Sequence, residues 1–145
     1  MLIANKSKTE AHKRGEELLR AVGLGDRLHS RPNQLSGGQN QRVAVARALA
    51  NNPSIVIGDE LTGNLDTKSS ELIYNLLREL NQKINQTFIL VTHDMTLAEK
   101  TDRILRIVDG KIVCEMRRKD DGFVASDLCV MGEDDGKVVQ ISREN

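Results

Sequence analysis

Three groups of residues have types and positions suited to chemistry. Ser36-Gly37-Gly38 stands directly before a helical pattern in which Val43, Ala46 and Ala50 fall on one face. Two glycines let a backbone come close to a phosphate, and the Ser36 hydroxyl adds a polar group. A helix N-terminus points N–H groups and a partial positive charge outward, so the combination suits an anion. Asp59 and Glu60 follow the apolar run Ile55-Val56-Ile57, which places them at the C-terminal end of a strand, where parallel α/β sheets bind ligands. Neighbouring carboxylates on a strand point in different directions and can take different jobs, and hard cations prefer such oxygens. His93 follows a second apolar run at residues 88–91, and an imidazole at a strand end can donate to a phosphate oxygen. Each group has a plainer reading when taken singly: a glycine-rich helix entry, an acidic turn, a polar residue closing a strand.

The elements that must carry these residues alternate between the two periodicities. Thr9 can cap a helix running to about residue 21, with Leu18, Leu19 and Val22 as its apolar stripe and Gly23 as its stop. Residues 25–33 read as a loop broken by Pro32, and a second helix spans about residues 39–50 and ends at Asn51-Asn52-Pro53. The run at residues 55–57 is continuous, as in a strand buried on both faces. Asp66 or Thr67 can cap a long helix to about residue 85, in which Leu72, Ile73, Leu76, Leu77, Leu80 and Ile84 make a wide core face. A short helix at residues 96–100 precedes strands at 103–108 and 111–116, joined by the hairpin dipeptide Asp109-Gly110. The result is an α/β chain.

Bulk properties exclude several classes. Charged residues are 29% and the net charge is zero, so nothing in the overall balance favours nucleic acid. Aromatics are 2%, too few for base-stacking platforms. No apolar run reaches the length of a bilayer span and no leader pattern opens the chain, so a cytoplasmic protein is expected. Cys114 and Cys129 lack metal-type spacing and read as two free thiols.

Taken together, the pieces narrow the reading. Leu35-Ser36-Gly37-Gly38-Gln39 with Gln41-Arg42, then Asp59-Glu60, then Thr62-Gly63-Asn64-Leu65-Asp66, and finally Thr92-His93-Asp94 occur in one order. This order resembles the ATP-binding cassette (ABC) ATPases, and residues 62–66 look most like the lipoprotein-release and macrolide-export branch. The resemblance covers about residues 5–116. It implies that Ser36, Gly37, Gly38 and Gln39 form the signature motif that faces a partner's ATP, with Asp66 in the loop that crosses the cassette dimer. It also implies that Asp59 is the Walker B aspartate for Mg2+, that Glu60 orients or deprotonates the attacking water, and that His93 contacts the γ-phosphate. A second cassette and transmembrane permease subunits would be partners; nucleic acid would not. One residue departs from the pattern: Leu61 stands where the family usually has proline, which removes a backbone stiffener after Glu60.

No G-x-x-x-x-G-K-[ST] phosphate loop occurs in the 145 residues. The expected fold is therefore an incomplete P-loop NTPase: part of the helical subdomain at about residues 5–52, then the C-terminal half of a mainly parallel sheet and a C-terminal β-hairpin within residues 53–116. Hydrolysis is expected to need a phosphate-loop-bearing N-terminal half, and the isolated chain is expected to be inactive. The alternative is a non-enzymatic module that docks on an intact cassette through its signature motif.

Residues 117–121 read as a solvated charged link, and 123–131 with 137–141 as two short strands around Glu133-Asp134-Asp135-Gly136, unmatched to the family and open between a small added hairpin and a partly disordered end. The resemblance further implies that a strand is missing between those at 88–91 and 103–108. Three outcomes are open: marginal stability unless a partner fills the gap, direct pairing of the two flanking strands, or a replacement strand from the tail.

Overall fold

The computed structural model describes residues 6–120, 122–126, 129 and the strand placement of 137–142. The chain divides into two compact units, Met1–Ser54 with Asn64–Leu76, and Ile55–Gly63 with Leu77–Asn145.

The first unit is helical. Helix α1 (Lys8–Ala21) starts at Ser7, not at Thr9. Ser7-Lys8-Thr9-Glu10 is a capping box: the Ser7 hydroxyl accepts from the Glu10 N–H and the Glu10 carboxylate accepts from the Ser7 N–H. Of the expected stripe, Leu18 and Val22 are buried and Leu19 is half-buried; Leu24, outside it, is buried as well. The loop after it holds two short 3-10 turns, Gly25–Arg27 and Pro32–Gln34. Helix α2 (Gly37–Ala48) begins two residues earlier than the periodicity places it, and a 3-10 turn at Leu49–Asn51 ends it. Two arginines tie α1 to α2. Arg14 donates to the Asn52 side chain at 2.6 Å, beyond the end of α2. Arg42 of α2 donates to the carbonyls of Val22 and Gly23, beyond the end of α1, each at 3.4 Å.

The second unit is built on a six-stranded sheet. Its strands are β1 (Ile55–Asp59), β2 (Thr87–Thr92), β3 (Arg103–Val108), β4 (Lys111–Lys119), β5 (Gly122–Ala125) and β6 (Lys137–Ser142), in the spatial order β1-β2-β6-β3-β4-β5. β1 and β2 are parallel, with Ile57 opposite Ile89 and Asp59 opposite Val91. The long helix α3 (Thr67–Ile84) joins them, as a parallel crossover needs, and the short helix α4 (Met95–Ala98) follows β2. Phe88, Leu90, Ala98 and Ile104 are buried, and Met116 and Phe123 pack on the Ala98–Ile104 pair. Asp109 and Gly110 both take positive φ, +47° and +73°, which is the two-residue turn that matches the twist of β3 and β4.

Four expectations are corrected here. β1 is not buried on both faces: Val56 is buried, but Ile55 and Ile57 are 50% and 71% exposed, because nothing among the described residues covers that face. The charged residues 117–119 do not form a solvated link but extend β4, with Arg117 opposite Val124 and Arg118 opposite Phe123. The Arg118 guanidinium lies 5.0 Å from the Phe123 ring centre and donates to the Thr101 carbonyl, so alternate charges find partners along a strand. The tail is not a hairpin: β5 pairs with β4, and β6 pairs with β2 and β3. The expected turn at residues 133–136 lies outside the described residues. Cys114 and Cys129 are not free but joined in a disulfide. The chain turns back on β4 after β5, where the Ser126 N–H donates to the Glu115 carbonyl at 2.8 Å, and this brings two cysteines 15 residues apart into contact.

The gap expected between β2 and β3 is filled by the third outcome. β6 runs antiparallel to both neighbours, with Val139 opposite Val91 on one side and Leu105 on the other.

Candidate functional site

The candidate residues fall into two groups, one in each unit, and each group is described by itself.

In the helical unit, Ser36 is the N-cap of α2. Its hydroxyl accepts from the Gln39 N–H at 3.2 Å, and the Gln39 side chain accepts from the Ser36 N–H at 2.9 Å. Ser36 and Gln39 thus form a capping box of their own. It settles the third N–H of the helix, while helix geometry leaves those of Gly37 and Gly38 without an intrahelical acceptor. The Asn40 side chain donates to the carbonyls of Pro32 and Leu35, both at 3.2 Å, and fixes the segment entering the motif. The glycines also sit where another segment approaches. A Cβ on Gly37 would meet Leu65 at 3.3 Å, and one on Gly38 would meet Ser69 at 3.4 Å. Residues 65–69 therefore pack on the start of α2, which spacing alone does not reveal.

Asp66, not Thr67, caps α3. One carboxylate oxygen accepts from the Ser69 N–H at 3.0 Å and the other from the Ser69 hydroxyl at 2.7 Å. The Ser69 hydroxyl first, and then its N–H, hold the Asp66 carboxyl below its ordinary range. A depressed carboxylate contributes stability above its unfolded pKa and loses it as pH falls through the folded one. Ser69 is a residue the motif reading misses, since only the folded cap pairs it with Asp66.

Replacing Ser36 with alanine removes the α2 cap and should cost about 1 kcal/mol. The readout is the chemical denaturation midpoint, with Ser36→Thr recovering most of the loss. An unchanged midpoint would show that the capping box does not hold the helix start.

In the sheet unit, Asp59 and Glu60 lie at the C-terminal end of β1, and His93 follows the C-terminal end of β2. The parallel pairing brings Glu60 and His93 together: a Glu60 carboxylate oxygen lies 3.5 Å from His93 Nδ1, with side chains 45% and 72% exposed. Glu60 adopts φ +46°, uncommon for a residue with a side chain. Backbone bonds hold it there: its N–H donates to the Val91 carbonyl at 2.9 Å, and its own carbonyl accepts from Gly63 at 3.1 Å. Leu61 folds back over β1, so that a Cβ on Gly58 would meet its side chain at 2.6 Å. Contact with Gly58 gives Leu61 a packing role at this bend. The Asp94 N–H donates to the Thr92 hydroxyl at 3.1 Å and positions the turn that carries His93.

No group of three or more His, Cys, Asp or Glu side chains among the described residues makes a metal cage. Mg2+ takes one or two carboxylates and finds its other oxygens on phosphates and water. Asp59, exposed at the strand end, fits as one such ligand.

Residues 2–63 match the family model described as ABC transporter. The lipoprotein-releasing system ATP-binding protein LolD of Anaeromyxobacter dehalogenans is 57% identical over 101 residues, which are 70% of this chain and 42% of that protein. An uncharacterised ABC transporter ATP-binding protein of Thermotoga maritima is 53% identical over 112 residues, 77% of this chain and 47% of that protein. Among solved structures, the dimeric bacterial ABC transporter cassette MJ0796 superposes with a TM-score of 0.64 at 44% identity, covering 80% of this chain and 50% of that one. The same cassette bound to ADP and Pi in a post-hydrolysis state gives the same TM-score. The chain spans about half the length of the relatives it matches.

Proposed function

We propose that the chain carries part of an ABC transporter ATP-binding domain and serves as the C-terminal portion of an ATP-binding subunit that drives transport through membrane permease subunits. In this reading residues 1–116 are the cassette portion and 117–145 an addition to it. The observation that carries the reading is the meeting of Glu60 and His93 at the ends of adjacent parallel strands.

Each residue then has a role set by its position. Glu60, fixed by its backbone at the end of β1, accepts a proton from the attacking water or orients it. His93 donates to a γ-phosphate oxygen and steadies the Glu60 carboxylate. Asp59 would hold Mg2+, whose charge offsets that of the β- and γ-phosphates. Ser36, Gly37, Gly38 and Gln39 present the start of α2 to the phosphates of an ATP held by a second cassette, and Asp66 fixes the segment that packs on that helix start. The partners are a second cassette, a phosphate-loop-bearing N-terminal half, and permease subunits. No helix among the described residues is long and apolar enough to cross a membrane, which accords with a cytoplasmic subunit peripheral to such a permease.

The test is a nucleotide titration. The chain alone should bind Mg-ATP weakly or not at all, since a phosphate loop supplies most of the cradle and Asp59 and Glu60 repel the phosphates. Adding an N-terminal half that carries the phosphate loop should bring binding and hydrolysis together. Micromolar binding by the chain alone, or no hydrolysis by the complemented pair, would defeat the reading.

A further inference from the structure

Two strands of the sheet run opposite to both of their neighbours: β4, between the hairpin partners β3 and β5, and β6, in the middle of the sheet. β1 is parallel to β2, and β6 is antiparallel to both β2 and β3, so β1, β2 and β3 all point the same way. Between β2 and β3 there is a slot one strand wide, and β6 lies in it reversed. In α/β sheets of this kind a reversed strand usually sits at an edge rather than in the middle. The slot accepts either direction, because a strand presents N–H and C=O groups along both sides whichever way it runs.

We infer that residues 137–142 are a self-complementing strand, seated in the slot that the phosphate-loop strand of an N-terminal cassette half would otherwise enter, so that tail and half compete for one site. The inference rests on the reading above that the chain works with such a half. Three observations carry it. Five residues of β6 pair with β2 and five with β3, so both edges are satisfied along their length. β6 follows the other five strands in sequence, so its departure breaks no connection among them. The disulfide Cys114–Cys129 ties the segment before β6 to β4, keeping the tail close to the slot when β6 is out. The choice of occupant follows from a neighbouring feature: Ile55 and Ile57 leave an apolar sheet face bare on β1, which a second half with its own helices would cover, whereas a lone strand would not.

The experiment is hydrogen exchange on the full chain, free and after co-refolding with the N-terminal half of the MJ0796 cassette. In the free chain the amides of residues 138–141 should be protected. In the complex they should exchange at least about tenfold faster, while those of residues 88–92 and 103–107 stay protected by the incoming strand. Val139→Pro removes a ladder donor, and Val139→Gly, a milder change, weakens the strand without that loss. Affinity for the half should rise in the order native, Val139→Gly, Val139→Pro, and the glycine variant serves if the proline variant does not fold. Unprotected amides at 138–141 in the free chain would overturn the inference, as would a complex in which they remain protected. If the half binds neither native nor variant chains, complementation itself fails and the competition with it, while protection at 138–141 in the free chain would separately show a docked tail.

Discussion

Glu60→Gln, in a cassette completed with its phosphate-loop half, should lower ATP turnover by about 100- to 10,000-fold and leave nucleotide binding intact. The amide keeps the size of the carboxylate and loses its basic oxygen. The backbone that carries it is set independently, by the bonds from the Glu60 N–H to Val91 and from the Gly63 N–H to Glu60. The substitution therefore changes one side chain's chemistry without moving the bend between β1 and residue 63. His93, 3.5 Å away, keeps a hydrogen-bonding neighbour because the amide oxygen still accepts. Single-turnover hydrolysis beside a nucleotide titration separates the two effects. Turnover near that of the native sequence would remove Glu60 from its assigned role.

Phe88→Ala should be among the most destabilising single changes, at about 3–5 kcal/mol. Phe88 is 1% exposed in β2, a strand paired on both sides, by β1 through Val56 and by β6 through Ser142. Removing its ring opens a cavity where strands cannot close in without breaking their ladders. Against a typical total of about 5–15 kcal/mol the loss is about a fifth or more of what holds a domain folded. Ile57→Ala, one strand away and 71% exposed, should shift stability by only about 0.5 kcal/mol. Denaturant midpoints of the two variants give the comparison. Equal shifts would mean that Phe88 does not lie in the core of the sheet.

Much of the site was legible because its signals are local. Ser36 with Gln39 and Ser7 with Glu10 are capping boxes three residues apart, each complete within one turn of chain. Neither start was placed correctly: the periodicity put α2 two residues late, at Gln39, and Thr9 is also an eligible cap for α1, differing from Ser7 only in the reach of Glu10. Asp109-Gly110 specified the β3–β4 turn, since both residues tolerate positive φ. Asp59, Glu60 and His93 were placed at strand ends by the apolar runs before them. The distance between Glu60 and His93 was not legible, because it depends on β1 and β2 being neighbours in parallel register.

By itself the sequence determined the alternation of helix and strand, the approximate extent of the helices, and the order of motifs that resembles ABC cassettes. These are properties of contiguous residues, and their periodicity or capping chemistry acts over a few positions. Only the tertiary structure decided that Cys114 meets Cys129, that the charged residues 117–119 extend a strand, that Leu61 lies against Gly58, and that the tail enters the sheet between β2 and β3. Each of these joins segments whose meeting depends on where the chain turns back. A backbone edge will pair with any strand that reaches it, so the composition of residues 137–142 could mark a strand but could not name its neighbours.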